Sequence, residues 1–439
     1  MSFTLRRLFV DYGMVLVLAA LCAAFSLLTL EDQPASGAGA AAPLAAGIVR
    51  DRPAGAKVLV VVQARPEDDA FAAALDRALT AAGATVVETV RGEPRAARLA
   101  IERLVAVGEK LDVVATTPVA GSWLLFTDLP QAFPALGMPV VVSPVAARWP
   151  TFLKRDNLLN IANQIAVIAI MAIGMTLVIV AGGIDLSVGS LAALSAVLAT
   201  KLIRDAAGGL DATAGGMLLS CLAAIIACGL IGMVTAIIVT RFDVPPFIVT
   251  LAMMLVASGL AYLVSDGQSI YQIPDSFVWL GRGADLGGLP NAVVLMLVLY
   301  LAAHVLMSRT AVGRWIYAVG GNREAARLSG VPVERVLVTT YVVSGLLAGL
   351  GGVIMASLLK SGSPTYGQMY ELYVIAAVVV GGTALSGGEG RVLGTLVGAL
   401  VIAVIQNGMN LLNIESYTQK VVLGLVILGA VLVDRLRHR

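Results

Sequence analysis

The chain has 439 residues, of which 58% are hydrophobic and only 13% charged, and its mean hydropathy is +0.90. Soluble domains carry about 25% charged residues, so the composition is that of an integral membrane protein, and a net charge of +2 offers no basic surface for nucleic acid. Cys22, Cys221, Cys228 and His304 lie inside apolar runs and His438 in a basic tail, so neither a disulfide framework nor a metal site is expected.

Residues 1–30 contain Arg6, Arg7 and the apolar run Met14 to Leu30. This reads as a first transmembrane helix, or as a signal peptide cleaved in the small-residue stretch Ala35 to Ala42. Either way, the chain beyond Leu30 is expected outside. Gln33 to Pro53 is rich in Pro, Ala and Gly and reads as a linker.

From Lys57 to Ser143 charge returns, and no apolar segment reaches the roughly 20 residues a span needs. Val58 to Gln63 has the texture of a buried strand, followed by a helix over Asp69 to Ala82 with Phe71, Leu75, Leu79 and Ala82 on one face. Thr85 to Val90 is strand-like, and Pro94 to Val107 repeats Ala97, Ile101, Leu104 and Val105 at helical spacing. Leu111 to Thr116 and Met138 to Ser143 are further strands. Residues 31–150 are therefore expected to form a small inserted α/β domain of β-α-β-α-β pattern with flexible linkers. Ala64-Arg65-Pro66-Glu67-Asp68 stands where a phosphate-binding glycine loop would follow the first strand, which argues against a dinucleotide site. Asp68 and Asp69 read as a helix N-terminus, where negative charge complements the macrodipole.

Residues 151–439 resume the membrane texture. Nine further spans are expected: Leu158 to Val180, Ser190 to Ile203, Gly216 to Val239, Phe247 to Val264, Ala292 to Met307, Leu337 to Leu358, Leu372 to Gly381, Val392 to Leu411 and Val421 to Leu432. The fold class is thus an all-α polytopic membrane protein of about ten transmembrane helices. Leu372 to Gly381 is too short to cross about 30 Å unless its flanks extend it. With an inside N-terminus, the inner loops hold Arg241, Arg309, Arg314, Arg323, Arg327, Arg335 and Arg391, then Arg435, Arg437 and Arg439, as the positive-inside rule requires. Lys201, Arg204, Arg282 and Lys360 fall outside, mostly with Asp neighbours. The outer segment Ser265 to Pro290 carries Tyr271, Phe277 and Trp279, which suit a membrane interface or a docking protein.

Gly182 to Ser190 places Asp185 and Ser187 between two apolar runs, a non-helical break that protein or water must surround and hence a candidate pathway or hinge. Asn163, Gln164, Gln406, Asn407 and Asn410 are further polar groups within spans, suited to a pathway for an uncharged hydroxylated solute or to helix-to-helix hydrogen bonds. Gly320 to Pro332 reads either as a solvated loop or as a short helix, capped by Asn322, with Glu324 in its first turn and Gly330 and Pro332 stopping it. Gly381 to Arg391 is glycine-rich but lacks the Lys and Ser/Thr of a P-loop. No catalytic residue and no cofactor are expected, and any use of ATP belongs to a partner.

Gly174-Met175-Thr176-Leu177-Val178-Ile179 running into Gly183-Ile184-Asp185-Leu186-Ser187-Val188-Gly189-Ser190 resembles the signature of ribose-type sugar permeases of ATP-binding-cassette (ABC) importers. Tyr317 to Asn322 with Arg327 to Gly330, Tyr370 to Leu372 with Gly381 to Thr383, Gly387 to Arg391 with Gly394-Thr395, and Asn407 to Leu412 resemble the same family in the same order. The resemblance covers the first span and Asn157 to the C-terminus. It implies a multi-pass protein of the bacterial inner membrane with cytoplasmic termini, paired with a second copy or a homologous permease. It further implies separate ABC ATPase subunits inside and a periplasmic sugar-binding protein outside. The segment Gly321, Asn322, Glu324, Ala325, Arg327 and Gly330 would then be the element that meets the ATPase, in place of a mere solvated loop. The insert departs from the family, and its periplasmic role reads as docking or regulation. An ion-coupled secondary transporter, or a receptor sensing through the insert, are the rival readings.

Overall fold

The computed structural model describes residues 3–33, 37–53, 55–144 and 147–437. His438, Arg439 and residues 34–36 lie outside the described residues. The chain divides into two compact units, one made of 1–29 and 152–439 and the other of Leu30–Thr151.

The first unit opens with helix α1 (Phe3–Leu28). The second unit then begins with β1 (Leu30–Gln33) and ends with β6 (Ala147–Pro150), which pair antiparallel from Leu30 opposite Pro150 to Gln33 opposite Ala147. Between them run α2 (Ala41–Asp51), β2 (Lys57–Val62), α3 (Pro66–Ala81), β3 (Thr85–Arg91), α4 (Pro94–Ala106) and β4 (Val113–Thr116). Three short helices, α5 (Pro118–Gly121), α6 (Leu124–Thr127) and α7 (Leu129–Ala132), lead to β5 (Val140–Val142). The strands form a parallel sheet in the order β3-β2-β4-β5. Val58 to Val62 are fully buried, as a central parallel strand covered on both faces requires. Val58, Val60 and Val62 meet Ile48 of α2 and Phe71, Leu75 and Leu79 of α3. Leu59 and Val61 meet Ala97 and Ile101 of α4 together with Phe126 and Leu129. Helix α2 occupies part of the stretch read as a linker. Ala41, Ala45 and Ile48 are buried along it, a three-to-four-residue spacing that the high Pro, Ala and Gly content masked. Ala82, expected on the buried face, is exposed.

The first unit continues with α8 (Arg155–Val180), α9 (Val188–Asp205), α10 (Ala214–Arg241), α11 (Pro246–Ser265), α12 (Trp279–Arg282), α13 (Asn291–Arg309), α14 (Ala311–Gly321), α15 (Arg323–Leu328), α16 (Val333–Leu359), α17 (Tyr370–Val380), α18 (Val392–Leu411) and α19 (Ser416–Arg437). Six of these, α8, α10, α11, α13, α16 and α18, are long and apolar enough to cross a membrane, which makes the chain a polytopic membrane protein. Helix α17 has 11 residues, about 16 Å of rise, and the chain before it from Ser361 to Met369 is not helical.

Helix α16 packs on α8, α9 and α10 and can do so because small residues line it. A Cβ on Gly345 would overlap the Cys228 carbonyl oxygen of α10, one on Gly352 would overlap the Ala192 carbonyl oxygen of α9, and one on Gly174 of α8 would stand 2.7 Å from Ser344 Cα. Lipid offers no hydrophobic drive between helices, so this close approach and the hydrogen bonds it permits hold the bundle together. Ser195 Oγ donates to the Gly349 carbonyl at 2.7 Å, and Tyr300 Oη to the Ala169 carbonyl at 2.9 Å.

Between α8 and α9 the helix is broken over residues 181–187, and Asp185, 1% exposed, closes the gap. Its Oδ1 accepts from Ser187 N–H at 3.0 Å and Ser187 Oγ at 2.6 Å, and its Oδ2 accepts from Ser344 Oγ of α16 at 2.8 Å. One carboxylate thus supplies the loose amide at the start of α9 and ties the break to the central helix.

Three outcomes are expected for the detergent-purified chain. Gly345→Val forces α10 and α16 apart and lowers the thermal unfolding midpoint, an overpacking cost of about 1–3 kcal/mol or more. Gly259→Val, with nothing within 4 Å of its Cβ, leaves the midpoint unchanged. Asp185→Ala strands one amide and two hydroxyls, each costing about 1–3 kcal/mol when buried unpaired; a wild-type midpoint for this variant would show that the carboxylate does not secure the break.

Candidate functional site

Three glycine-rich stretches far apart in the sequence converge at one end of the membrane unit. Gly388 N–H donates to the Val180 carbonyl at 2.9 Å, and Tyr317 Oη to the Gly390 carbonyl at 2.7 Å. A Cβ on Gly387 would stand 2.9 Å from Gly182 Cα, and one on Gly320 would overlap the Val180 carbonyl oxygen. The breaks after α8, α14 and α17 therefore form one close-packed layer. This convergence was not legible in the separate motifs.

Above that layer, α9 and α17 both start inside the bundle. Gly189, in the first turn of α9, packs so closely that its Cβ would lie 2.5 Å from the Gly367 carbonyl and 2.5 Å from Glu371 Oε2. Three residues later Ala192 meets Gly352, well inside the 27-residue α16. The rise of α17 is about half of the roughly 30 Å hydrocarbon thickness. Both lines place the meeting of α9 and α17 midway along the bundle. The turn into α17 runs through left-handed Gly367 (φ 68°) and Met369 (φ 68°). Beside it a cavity of about 290 Å³ is lined by Ser190, Met254, Leu255, Ser258, Gln368 and Glu371 among others. The larger groove of the second unit, about 710 Å³ between α2 and β5, is walled by Leu44, Ile48, Val113, Val140 and Val142, with Arg50, Asp51, Arg52 and Ser143 also in its lining.

At the glycine end, Arg323–Leu328 forms the short helix α15. Asn322 caps it, its Oδ1 accepting from Ala325 N–H at 2.9 Å, and left-handed Gly330 (φ 82°) ends it. Ala326 anchors the helix by burial, whereas Gly321, Glu324, Ala325, Arg327 and Gly330 are exposed. Leu328, not singled out from the sequence, is 82% exposed beside them.

The intramembrane amides do not share one lining. Asn163 Nδ2 donates to the Gly281 carbonyl at 3.2 Å, and Gln164 is exposed. Asn407 pairs with Asn157 through two bonds of 2.8 and 3.0 Å, joining α18 to α8. Asn410 Oδ1 accepts from Gln419 Nε2 at 2.8 Å, and Gln406 is half-buried in α18. The bonded amides hold helix to helix, while Asp185 and Ser187 lie in the break at the opposite end of α8. Ser190, Ser258, Gln368 and Glu371 went unrecognised as a set because they come from three separate segments.

The sequence model of the family described as "Branched-chain amino acid transport system / permease component" matches residues 157–431. The chain is 44% identical over 303 residues to the ribose import permease protein RbsC of Escherichia coli (strain K12), covering 68% of this chain and 92% of that one. It is 43% identical over 304 residues to RbsC of Bacillus subtilis (strain 168), covering 69% and 92%. To the L-arabinose ABC transporter permease protein AraH of Azospirillum brasilense it is 36% identical over 299 residues, covering 68% and 86%. No solved structure matches the chain. With this similarity across the membrane unit, the chain belongs to the family of transport-system permease components that the model describes.

Proposed function

We propose that the chain is the membrane-spanning permease subunit of an ABC importer and forms the translocation pathway for a monosaccharide or related polyol. The observation that carries this is the pair of helix starts at mid-depth, α9 and α17, bordering a cavity in a chain 44% identical to a ribose import permease. Non-helical backbone at that depth is tolerated only against protein or a water-filled cavity. Exposed Gln368 and Met369 border that backbone, which fits a pathway between two copies of the chain better than a lipid-facing surface.

The reading assigns ten membrane segments, α1, α8, α9, α10, α11, α13, α16, α17, α18 and α19, with both termini cytoplasmic and residues 31–150 periplasmic. Charge supports it. Arg241, Arg309, Arg323, Arg335 and Arg391 follow or precede helix ends on the glycine side, as the positive-inside rule asks of a cytoplasmic face. On the opposite side four cations have local partners. Arg204 pairs with Asp205, Lys360 with Asp275, Arg282 with the Leu358 carbonyl, and Lys201 with the Val264 carbonyl.

In this reading ATP is bound and hydrolysed by separate ABC ATPase subunits, a periplasmic sugar-binding protein delivers the solute, and the permease supplies no cofactor chemistry. Helix α15 is the contact with the ATPase. Glu324 and Arg327 offer charge and Leu328 an exposed apolar tip that a partner can bury. ATP-driven movement of that contact would reach the pathway through the glycine layer, shifting the bundle between two packings. The insert is a docking or regulatory module of the same transporter.

Proteoliposomes holding the chain with its ATPase and solute-loaded binding protein test the reading. Uptake is expected to require the ATPase, and uptake that persists without it refutes the proposal. Leu328→Asp, Glu324→Arg and Arg327→Glu are each expected to lower uptake at least tenfold with the chain still inserted and folded; wild-type rates for all three would remove α15 from coupling. Deleting residues 35–145 separates the insert's roles, since lost uptake marks docking and constitutive uptake marks regulation.

A further inference from the structure

The mid-depth cavity has the size and chemistry of a monosaccharide subsite. Its volume, about 290 Å³, lies just below the range for drug-sized ligand pockets, roughly 300–1,000 Å³, which suits a single sugar ring and not a disaccharide. Its wall is two-sided. Ser190, Ser258, Gln368 and Glu371 present hydroxyl, amide and carboxylate groups, and Met254 and Leu255 of α11 present apolar surface. A sugar ring has both kinds of face, hydroxyls around its rim and C–H groups across it.

Glu371 sets the chemistry. It stands in the first turn of α17, where the helix dipole favours a carboxylate, and among the described residues no other side chain is hydrogen-bonded to it. A carboxylate at mid-membrane without such a partner is expensive and marks a functional position. Ionised, it only accepts hydrogen bonds, so its complement is a donor such as a sugar hydroxyl. Gly189 and Gly367 make the arrangement possible. A side chain on Gly189 would occupy the space of the Glu371 carboxylate, and one on Gly367 would collide with the Gly189 carbonyl.

We propose that the cavity between α9, α11 and the start of α17 is where the sugar rests in transit, with the Glu371 carboxylate and the Ser190 and Ser258 hydroxyls as its hydrogen-bonding groups. This subsite rests on the importer reading above. It assigns solute contact to Glu371, Ser190, Ser258 and Gln368, and leaves the amides of α8 and α18 to helix packing.

The test uses the full chain in proteoliposomes with its ATPase and binding protein, and radiolabelled D-ribose, L-arabinose and D-allose as probes. Glu371→Gln keeps the size of the side chain and removes charge. It is expected to lower uptake about tenfold while hydrolysis stimulated by the binding protein stays within twofold of wild type. Ser258→Met narrows the cavity and is expected to reduce D-allose uptake at least fivefold more than D-ribose uptake, a size discrimination that a merely structural fault would not produce. It also carries the test if Glu371→Gln fails to reach the membrane. Wild-type uptake of every sugar by both variants, or equal loss of all sugars together with hydrolysis, overturns the subsite alone. A wild-type chain that gives no ATPase-dependent uptake with its solute-loaded binding protein overturns the subsite and the importer reading together.

Discussion

In hydrocarbon a backbone N–H or C=O has no water to turn to, and the membrane unit is arranged around meeting that demand where its helices stop. Asp185 meets it at the first break with three accepted bonds, one of them reaching Ser344 of α16. That bond exists only because Gly174, Gly345 and Gly352 let α16 approach its neighbours at near-contact backbone distances. Close packing and satisfied polar groups are therefore one condition.

The two breaks share a design. After α8, Gly182 N–H bonds to the Ile179 carbonyl and Gly183 N–H to the Val178 carbonyl; after α17, Gly382 N–H bonds to the Val379 carbonyl and Thr383 N–H to the Val378 carbonyl. Gly182 and Gly382 both take left-handed φ, 83° and 86°, a common helix ending. Each ending turns the chain toward the same layer, where Gly388 bonds Val180. Helix α14, through Gly320 in that layer, is thereby in contact with both broken hairpins at once.

The α/β unit obeys different rules. Its central strand is buried on both faces by helices α2, α3 and α4, the usual arrangement of a parallel sheet, and the antiparallel pair of β1 and β6 brings its two ends together. The family model begins only at Asn157. Chain ends held side by side explain how such a unit can be carried between Thr29 and Phe152 without requiring a change in the helices that flank it.

The sequence by itself determined the class of the protein and most of its elements. Long apolar runs specify α8, α10, α11, α13, α16 and α18 to within a few residues, because hydrophobic burial acts on each run independently of its neighbours. Alternating β and α texture located β2, α3, β3 and α4 for the same reason. Asn322 and Gly330 marked both ends of α15, since capping is local chemistry. What the tertiary structure alone decided is what lies next to what. It joined Gly182, Gly320 and Gly387 into one layer, paired Asn157 with Asn407, showed that nothing helical extends α17, and gathered Ser190, Ser258 and Glu371 around a cavity at mid-depth. Those contacts depend on carbonyls and Cα atoms from distant segments meeting in space, and spacing along one segment carries no record of the backbone that will face it.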